Sequence, residues 1–206
     1  MKLYHSIGPN PAVVDLFLAE KGLEIERVEV DLRGGENRRP EYLKINPAGQ
    51  LPALVLDGGE VITEVTAICE YLEEEHREPP LIGSTPTERA ETRMWTRRID
   101  LGIVEPMANG FRFSEGLKLF ENRMRCLPEA ADGLKACSRD KQQWLDGQLG
   151  EHGGPWICGE RFTLADIFLF SFLEFGARVG QPLDEQLEHL VGWRERMRAR
   201  PTVQAG

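Results

Sequence analysis

The sequence predicts a small α/β domain built on a mixed four-stranded sheet, followed by an all-helical domain. Over the first 80 residues, short β-rich runs and helical patterns follow one another in the order β-α-β, then β-β-α. Composition changes at the proline- and glycine-containing run 79–83, and we interpret Arg77–Ser84 as a linker between domains 1–78 and 85–206. Beyond the linker the strand alternation disappears, and every recognisable pattern is helical.

The first domain opens with a β-α-β pattern. Lys2–His5 is typical of a short buried strand, and Glu26–Val30 alternates polar and apolar residues as a half-buried strand does. Between them, Asn10 is the predicted N-cap of a helix with Pro11 at its first position, and Gly22 is the predicted C-terminal cap.

A hairpin and a helix complete the domain after a polar stretch with a short helix near Glu41. Ala53–Leu56 and Glu60–Ile62 are β-rich, and the intervening Asp-Gly-Gly sequence tolerates positive φ. The pattern from Glu64 to Glu75 is helical. We expect its inward face to carry Ala67, Ile68, Tyr71 and Leu72.

In the second domain, two local motifs mark helix starts. A capping box is predicted at each of them, Thr85-Pro86-Thr87-Glu88 and Thr163-Leu164-Ala165-Asp166. The first helix is expected to bury Ala90, Met94, Trp95 and Ile99 and to end or kink at Pro106. The other predicted elements are helices over Leu117–Leu149, with a kink or fresh start at Pro128, from Thr163 to Phe175, and from about Asp184 to Arg200.

Charge and cysteine usage exclude several classes of function. The net charge is −9, from 25 Lys and Arg against 34 Asp and Glu, so neither nucleic acid nor membrane is an expected partner. The basic run Arg194–Arg200 is interpreted as a solvated helix face. None of the four cysteines forms a C-x-x-C pair, and no metal site or disulfide framework is predicted. With no signal peptide and no long apolar stretch recognised, we expect a cytoplasmic protein.

Two neighbouring motifs suggest a site for an amino-acid-like ligand. If the peptide bond before Pro52 is cis, the Leu51 backbone turns outward and can pair with the backbone of a bound peptide; alternatively, Pro52 only starts a strand. Glu64 and Val65 lie at a helix start, where free amides attract a carboxylate and Glu64 can pair with an ammonium group. The alternative is that Glu64 only satisfies the helix start.

These motifs resemble the glutathione S-transferase family along nearly the whole chain. The matching residues, in the family's order and spacing, are Asn46-Pro47…Pro52-x-Leu54, Glu64-x-x-Ala67-Ile68…Tyr71-Leu72 and Gly159…Phe162-Thr163-x-Ala165-Asp166. The resemblance implies a thioredoxin-like first domain with cis Pro52, a homodimer, and glutathione as cosubstrate. It also implies that Leu51 pairs with the cysteinyl backbone, that Glu64 and Val65 hold the γ-glutamyl end, and that Gln50, Asn37 and Arg38 meet the glycyl end.

The chain departs from the family pattern where the sulfur would be activated. Gly8 stands where one version of the loop carries a hydroxyl, and Val65 replaces the usual serine. A thiolate is required for nucleophilic attack. Three side chains could stabilise it, and each has another explanation: Tyr4 as a packing residue, Ser6 as a loop hydrogen bonder and Asn10 as a helix cap. The amides of the helix start after Pro9 could also do so.

The second substrate is expected to meet the first long helix of the second domain. Met107, Phe111 and Phe113 follow Pro106 and could line an apolar pocket, or belong to the interhelical core. We expect an enzyme that activates the glutathione thiol for attack on a small electrophile. The alternative is a non-catalytic binding or regulatory protein with the same fold. Because the loop holds no cysteine and the chain no C-x-x-C pair, a thiol-disulfide oxidoreductase is disfavoured.

Overall fold

The computed structural model describes residues 1–204 and divides into two compact units, Met1–Ser84 and the chain from Thr85 onward. The first unit contains a four-stranded sheet in the order β2-β1-β3-β4. Strands β1 and β2 are parallel, whereas the β1–β3 and β3–β4 pairs are antiparallel. The strands are β1 Lys2–His5, β2 Glu26–Glu29, β3 Ala53–Val55 and β4 Val61–Thr63. This mixed sheet confirms the thioredoxin-like fold expected for the first domain.

Three helices and a short 3-10 turn accompany the sheet. They are α1 Pro9–Lys21, the 3-10 turn Glu36–Arg38, α2 Pro40–Leu43 and α3 Val65–Glu75. Helix α1 contacts α3, and the core of the unit takes its fully buried side chains from the sheet and from both of these helices. Representative members are Leu3, Val13, Phe17, Leu54, Ile68 and Leu72.

Helix α1 begins earlier than the sequence pattern suggested. Gly8 is the N-cap, with φ of 132°, and Pro9 follows it, so Asn10 lies inside the first turn and its predicted capping role is wrong. Pro9 serves the helix start as well as Pro11 would, because neither has an N–H to satisfy there. The C-terminal end is as predicted, with Gly22 in the left-handed region at φ of 64°.

The buried face of α3 also differs from the predicted one. Ile68 and Leu72 are fully buried as expected, but Ala67 is exposed and Tyr71 is only half-buried. Their places are taken by Cys69 and Glu73. Glu73 can be buried because it pairs with a cation, which a pattern of apolar residues does not reveal.

That cation is Lys21, and the pair fixes the end of the first unit. The ammonium group of Lys21 lies against the Glu73 carboxylate, and both side chains are at least 99% buried. Lys21 also donates to the carbonyls of His76 and Pro79 at 2.7 and 2.6 Å. The carboxylate accepts from the amides of residues 81–83 at 2.8–3.3 Å. Part of the predicted linker is therefore packed onto the first unit.

The second unit is helical throughout its described residues, apart from isolated bridges in the 156–161 loop. Its helices are α4 Pro86–Ile99, α5 Glu105–Arg112, α6 Leu117–Phe120, α7 Ala131–His152, α8 Leu164–Arg178, α9 Glu188–Arg198 and α10 Pro201–Gln204. None of the helices in residues 1–204 is both long enough and apolar enough to cross a membrane.

Both predicted capping boxes are present. The Thr85 hydroxyl accepts from the Glu88 amide at 3.2 Å, and the Glu88 carboxylate accepts from the Thr85 amide at 3.1 Å. At the start of α8, the Asp166 carboxylate accepts from the Thr163 amide at 2.9 Å, and eleven residues of that helix are buried. Helix α8 is thus the central helix of its unit, as its apolar sequence predicts.

Pro106 and Pro128 lie near helix starts in the second unit. Pro106 lies in the first turn of α5, directly after a π-helical segment, Asp100–Val104, that continues from α4. Pro128 opens a 3-10 turn directly before α7, which confirms the fresh start predicted there. The predicted 117–149 helix is interrupted before this proline, because α6 ends at Phe120. The last predicted helix starts later, at Glu188, because Asp184 organises a turn by accepting from the Gln186 amide at 2.9 Å.

Two predictions in this unit, the buried face of the first helix and the solvated basic run, are only partly right. On α4, Trp95 and Ile99 are buried as expected, but Ala90 is exposed and Met94 is 41% exposed. Thr92 and Thr96 are buried instead. Within the basic run, Arg194 is 8% exposed and donates to Glu185 at 3.0 Å, and Arg200 stacks 3.6 Å from the Phe162 ring. Arg196 and Arg198 are exposed, as predicted for a solvated face, whereas Arg194 and Arg200 pack against other parts of the unit.

Candidate functional site

Three chain segments meet at one end of the sheet in the first unit. Tyr4 pairs with Ala53 across the β1–β3 ladder, and Ala53 pairs with Thr63 across the β3–β4 ladder. Continuing the β3–β4 register by one residue brings Pro52 opposite Glu64. Continuing the β1–β3 register by two brings Ser6 opposite Leu51. The residues singled out in three separate motifs therefore lie at the same edge of the sheet.

The turn before β3 has the geometry that the resemblance implies. The Leu51–Pro52 peptide bond is cis, and Leu51 and Pro52 are both buried. In residues 1–204, neither the backbone N–H nor the C=O of Leu51 has a hydrogen-bond partner within the protein. A backbone donor and acceptor on the same residue can form two hydrogen bonds to an extended peptide placed alongside.

The residues just before Leu51 are, by contrast, well bonded. The Gln50 carbonyl accepts hydrogen bonds from the Tyr42 hydroxyl at 2.6 Å and from Asn46 Nδ2 at 2.8 Å. The Ala48 amide donates to Asn46 Oδ1 at 3.0 Å. Burial raises the pKa of Tyr42 to about 12, so its hydroxyl stays protonated near neutral pH. Two side chains therefore hold the Gln50 carbonyl, on the side of the loop away from the Leu51 N–H.

Asn37 and Arg38 brace the same loop. Asn37 is 2% exposed and donates from Nδ2 to the Gly49 carbonyl at 2.6 Å, while its Oδ1 is buried without a partner among the described residues. The guanidinium of Arg38 is 3.4 Å from the Ala48 carbonyl. Gly49 has φ of 63°, and a Cβ there would lie only 3.0 Å from both Arg38 and the Asn37 carbonyl, so a side chain at this position would be strained and crowded. The Gln50 side chain is exposed.

Glu64 has a backbone conformation that is costly for its residue type. Its φ of 68° is the one positive value at a non-glycine residue among residues 1–204. Such a conformation costs on the order of 1–3 kcal/mol and is found preferentially at functional sites. Glu64 is the N-cap of α3, forms no side-chain cap bond and is exposed, so its carboxylate is available to a ligand beside the first-turn amides.

Val65 follows at the first position of α3 and is 8% exposed. Its amide belongs to the helix start, but its side chain offers no hydroxyl. A hydrogen bond to a charged group contributes about 1.5–3 kcal/mol. Val65, unlike a serine, cannot donate such a bond from its side chain to a carboxylate.

The loop after β1 offers a hydroxyl at Ser6 and a glycine at Gly8. Ser6 is 9% exposed and directly follows β1, where an extension of the β1–β3 register would bring it opposite Leu51. Gly8 has φ of 132°, which L residues rarely adopt, so a serine could not occupy this backbone without strain. Asn10, in the first turn of α1, is half-buried. Tyr4 lies within β1, its ring edge-on to Tyr42 at 6.2 Å between centroids.

The three aromatic and thioether residues proposed for a second pocket lie in α5 and directly after it. Met107 is fully buried, and Phe113 is 8% exposed. Phe111 is half-buried and contacts the rings of Phe120 and Phe175 edge-on, at centroid distances of 6.1 and 5.2 Å. Met107 therefore packs within its unit, while Phe111 keeps the more accessible ring.

Among residues 1–204 there is no cluster of three or more His, Cys, Asp or Glu side chains placed to hold a metal ion. Sequence reasoning did not find Tyr42. Its signal was weak, because a single tyrosine in a short amphipathic helix is usually a packing residue, and its hydroxyl acquires a role only when α2 folds against the loop.

The protein is thus a two-unit protein with a thioredoxin-like unit that carries this turn and a helical unit after it. Sequence comparison identifies its family. Residues 1–74 match the model of the glutathione S-transferase N-terminal domain and residues 137–201 that of the C-terminal domain. Glutathione S-transferase 2 of Saccharomyces cerevisiae is 34% identical over 95% of this chain and 84% of its own length. The chain belongs to the glutathione S-transferase family.

Solved structures and other relatives agree with this family assignment. A glutathione S-transferase domain-containing protein of Marinobacter aquaeolei superposes with a TM-score of 0.92 at 33% identity, covering 98% of this chain and 100% of its own. The relatives include a maleylacetoacetate isomerase of Pseudomonas aeruginosa, 33% identical over 89% of this chain and 85% of its own. They also include the disulfide-bond oxidoreductase YfcG of Escherichia coli, 29% identical over 98% and 91%. Proteins named for different reactions therefore share this sequence pattern.

Proposed function

We propose that this protein is a glutathione transferase. The first unit binds glutathione along the edge formed by Leu51 and the start of α3, and the bound thiol is activated to attack a small electrophile. The observation that carries the proposal is the unpartnered backbone of Leu51, one residue before a cis proline and at the same sheet edge as Glu64. Family membership supports glutathione as the tripeptide that fits this edge.

The two ends of the edge suit the two parts of the ligand. The Leu51 N–H and C=O would pair with the cysteinyl backbone. The γ-glutamyl end has one carboxylate and one ammonium group; the amides at the start of α3 suit the first, and the exposed Glu64 carboxylate suits the second. The glycyl end would rest on the loop that Asn37 and Arg38 hold by hydrogen bonds and that ends at Gln50.

Activation of the sulfur requires stabilisation of the thiolate. Lowering a thiol pKa from about 8.5 by two units takes about 2.7 kcal/mol of preferential stabilisation of the anion. Ser6 is the hydroxyl we propose for this role, because the register continues to it opposite Leu51, which would bind the cysteinyl residue. The amides at the start of α1 add the positive end of a helix dipole. Tyr4 and Asn10 are the remaining candidates.

Fixing the thiolate beside its target accelerates transfer by proximity and by electrostatic stabilisation. Of the apolar residues after Pro106, Phe111 is the one proposed to contact the electrophile, because its ring is the more accessible. The proposal includes a homodimer in the cytoplasm. Four free cysteines support a reducing compartment, and light scattering on purified protein would test the dimer.

The experiment is a titration with glutathione at a pH of about 6.5, where about 1% of the free thiol is ionised. Appearance of the ultraviolet absorbance of the thiolate on binding, together with turnover of a conjugation substrate, is the expected result. Ser6→Ala should keep glutathione binding and lose most of the thiolate signal. Isomerisation and disulfide-reduction assays run alongside would detect the reactions for which the relatives are named.

A non-catalytic binding protein is the second candidate, favoured by two specific positions. Gly8 supplies no hydroxyl, and Val65 removes a contact to the ligand carboxylate. Glutathione binding without any thiolate absorbance and without turnover in the three assays would establish this alternative. Absence of glutathione binding at millimolar concentration would overturn both.

A further inference from the structure

The carbonyl of Gln50 accepts hydrogen bonds from two side chains, neither of which belongs to β3, the strand that follows it. The Tyr42 hydroxyl donates at 2.6 Å from helix α2, and Asn46 Nδ2 donates at 2.8 Å from the loop. A carbonyl oxygen has two lone pairs, so this acceptor is fully used. Both donors are on buried residues, Tyr42 at 4% and Asn46 at 4% exposure.

This carbonyl belongs to the same peptide unit as the Leu51 N–H. The Gln50–Leu51 bond is trans, since the cis bonds among residues 1–204 are those before Pro52 and Pro79. In a planar trans peptide the C=O and N–H point in opposite directions. Holding the Gln50 oxygen toward Tyr42 and Asn46 therefore directs the Leu51 hydrogen away from them, toward the side where the loop has no protein partner.

We propose that Tyr42 and Asn46 are positioning residues that pre-orient the Leu51 N–H for the ligand's backbone carbonyl. The inference rests on the proposed function, because it assumes that glutathione binds along Leu51. Neither side chain needs to touch the ligand. Their effect is to reduce the rotational freedom that the Gln50–Leu51 peptide would otherwise lose on binding.

Two features allow the role of the Tyr42 hydroxyl to be tested separately from the packing of its ring. Tyr42 lies in a small apolar cluster with Val30 and Leu51, and its ring is also edge-on to Tyr4, so a phenylalanine would preserve these contacts. Burial raises the pKa of the Tyr42 hydroxyl to about 12, so the hydroxyl keeps its proton and donates a hydrogen bond to the Gln50 carbonyl throughout the pH range of a binding assay. The effect of removing it should not depend on pH between 6 and 9.

The test is Tyr42→Phe, with Tyr71→Phe as the matched control on the half-buried face of α3. Tyr42→Phe should raise the Kd for glutathione about threefold to tenfold, measured by calorimetry. At saturating glutathione, kcat and the KM for the electrophile should stay unchanged, because the lost interaction is uniform binding of one substrate. Tyr71→Phe should leave all three values unchanged.

A glutathione analogue separates positioning from general damage. In this analogue the cysteinyl carbonyl is reduced to a methylene, so it cannot accept from Leu51. The wild-type protein should bind the analogue much more weakly than glutathione, and the ratio of the two Kd values should be several-fold smaller in Tyr42→Phe. The ratio is independent of the fraction of folded protein.

An unchanged ratio in Tyr42→Phe would overturn the positioning role even if overall affinity falls. An unchanged Kd for glutathione would overturn it as well. Failure of the wild-type protein to bind glutathione at all would instead refute the proposed function, so the two failures are distinguishable.

Discussion

The indole nitrogen of Trp193 in α9 donates a 2.8 Å hydrogen bond to the buried carboxylate of Asp166 at the start of α8. The same oxygen accepts from the Ile157 amide at 3.0 Å, and the other accepts from the Thr163 amide at 2.9 Å. One carboxylate therefore joins a helix start, the preceding loop and the last long helix. Burial raises the pKa of Asp166, an effect that its hydrogen bonds oppose.

Trp193→Phe should lower the free energy of unfolding by about 2–3 kcal/mol, since it removes one hydrogen bond to a buried carboxylate and part of a fully buried ring. Trp144→Phe is the control, because that ring is 38% exposed and makes no hydrogen bond among residues 1–204. Urea unfolding followed by circular dichroism measures both. Equal losses in the two variants would show that the Asp166 bond contributes nothing.

Lys21→Met should be strongly destabilising, by about 3–5 kcal/mol, because it leaves the Glu73 carboxylate buried without its cation. Lys2→Met provides the comparison, since Lys2 and its partner Glu26 are more than half exposed and their pair is screened by water. The measurement is the urea midpoint of each variant. A Lys21→Met midpoint close to that of Lys2→Met would contradict the role assigned to the buried pair.

Glu64→Gln should weaken glutathione binding about tenfold, because the amide cannot pair with the ligand's ammonium group as a carboxylate does. Glutathione lacking the α-amino group should bind the wild-type protein and Glu64→Gln equally well, and this equality identifies the contact. Glu60→Gln, at an exposed position in the β3–β4 loop, is the matched control. If Glu64→Gln weakens both ligands alike, Glu64 does not pair with the amine.

Val65→Ser should tighten glutathione binding about tenfold, since the new hydroxyl can donate to the γ-glutamyl carboxylate. The corresponding control is Val61→Ser at the start of β4, where the side chain is 39% exposed and the residue pairs with Val55 in the sheet. Calorimetry would measure both Kd values. No gain at position 65 would mean that the carboxylate lies elsewhere.

Cysteine alkylation at a pH of about 8 should distinguish buried from accessible thiols. Burial raises the pKa of Cys158 to about 11 and also raises that of Cys69. A pKa three units above the pH leaves about one thiol in a thousand ionised, so both should react only after unfolding. Cys137 is exposed and Cys126 half-buried. These two thiols should be alkylated first, and mass spectrometry would detect the label. Rapid native labelling of Cys158 would contradict this order.

Much of the scaffold was predictable from local sequence. The capping boxes at Thr85 and Thr163 involve residues three positions apart, so the interactions that start α4 and α8 are written within four residues. The unbroken apolar run of α8 likewise announces a central helix. The start of α1 was misplaced because two prolines suit a first turn equally well, and only the chain path at Gly8 distinguishes them.

Local sequence was sufficient for the order of the elements, the two helix starts that carry capping boxes and the short motif around Pro52, because all of these depend on near neighbours. The tertiary structure alone decided which polar groups are buried. Lys21 is 52 positions from Glu73, and Tyr42 bonds to Gln50 only once α2 has packed against the loop. A buried polar group is stable only with its partner, and a partner supplied by another element cannot be seen in a local pattern.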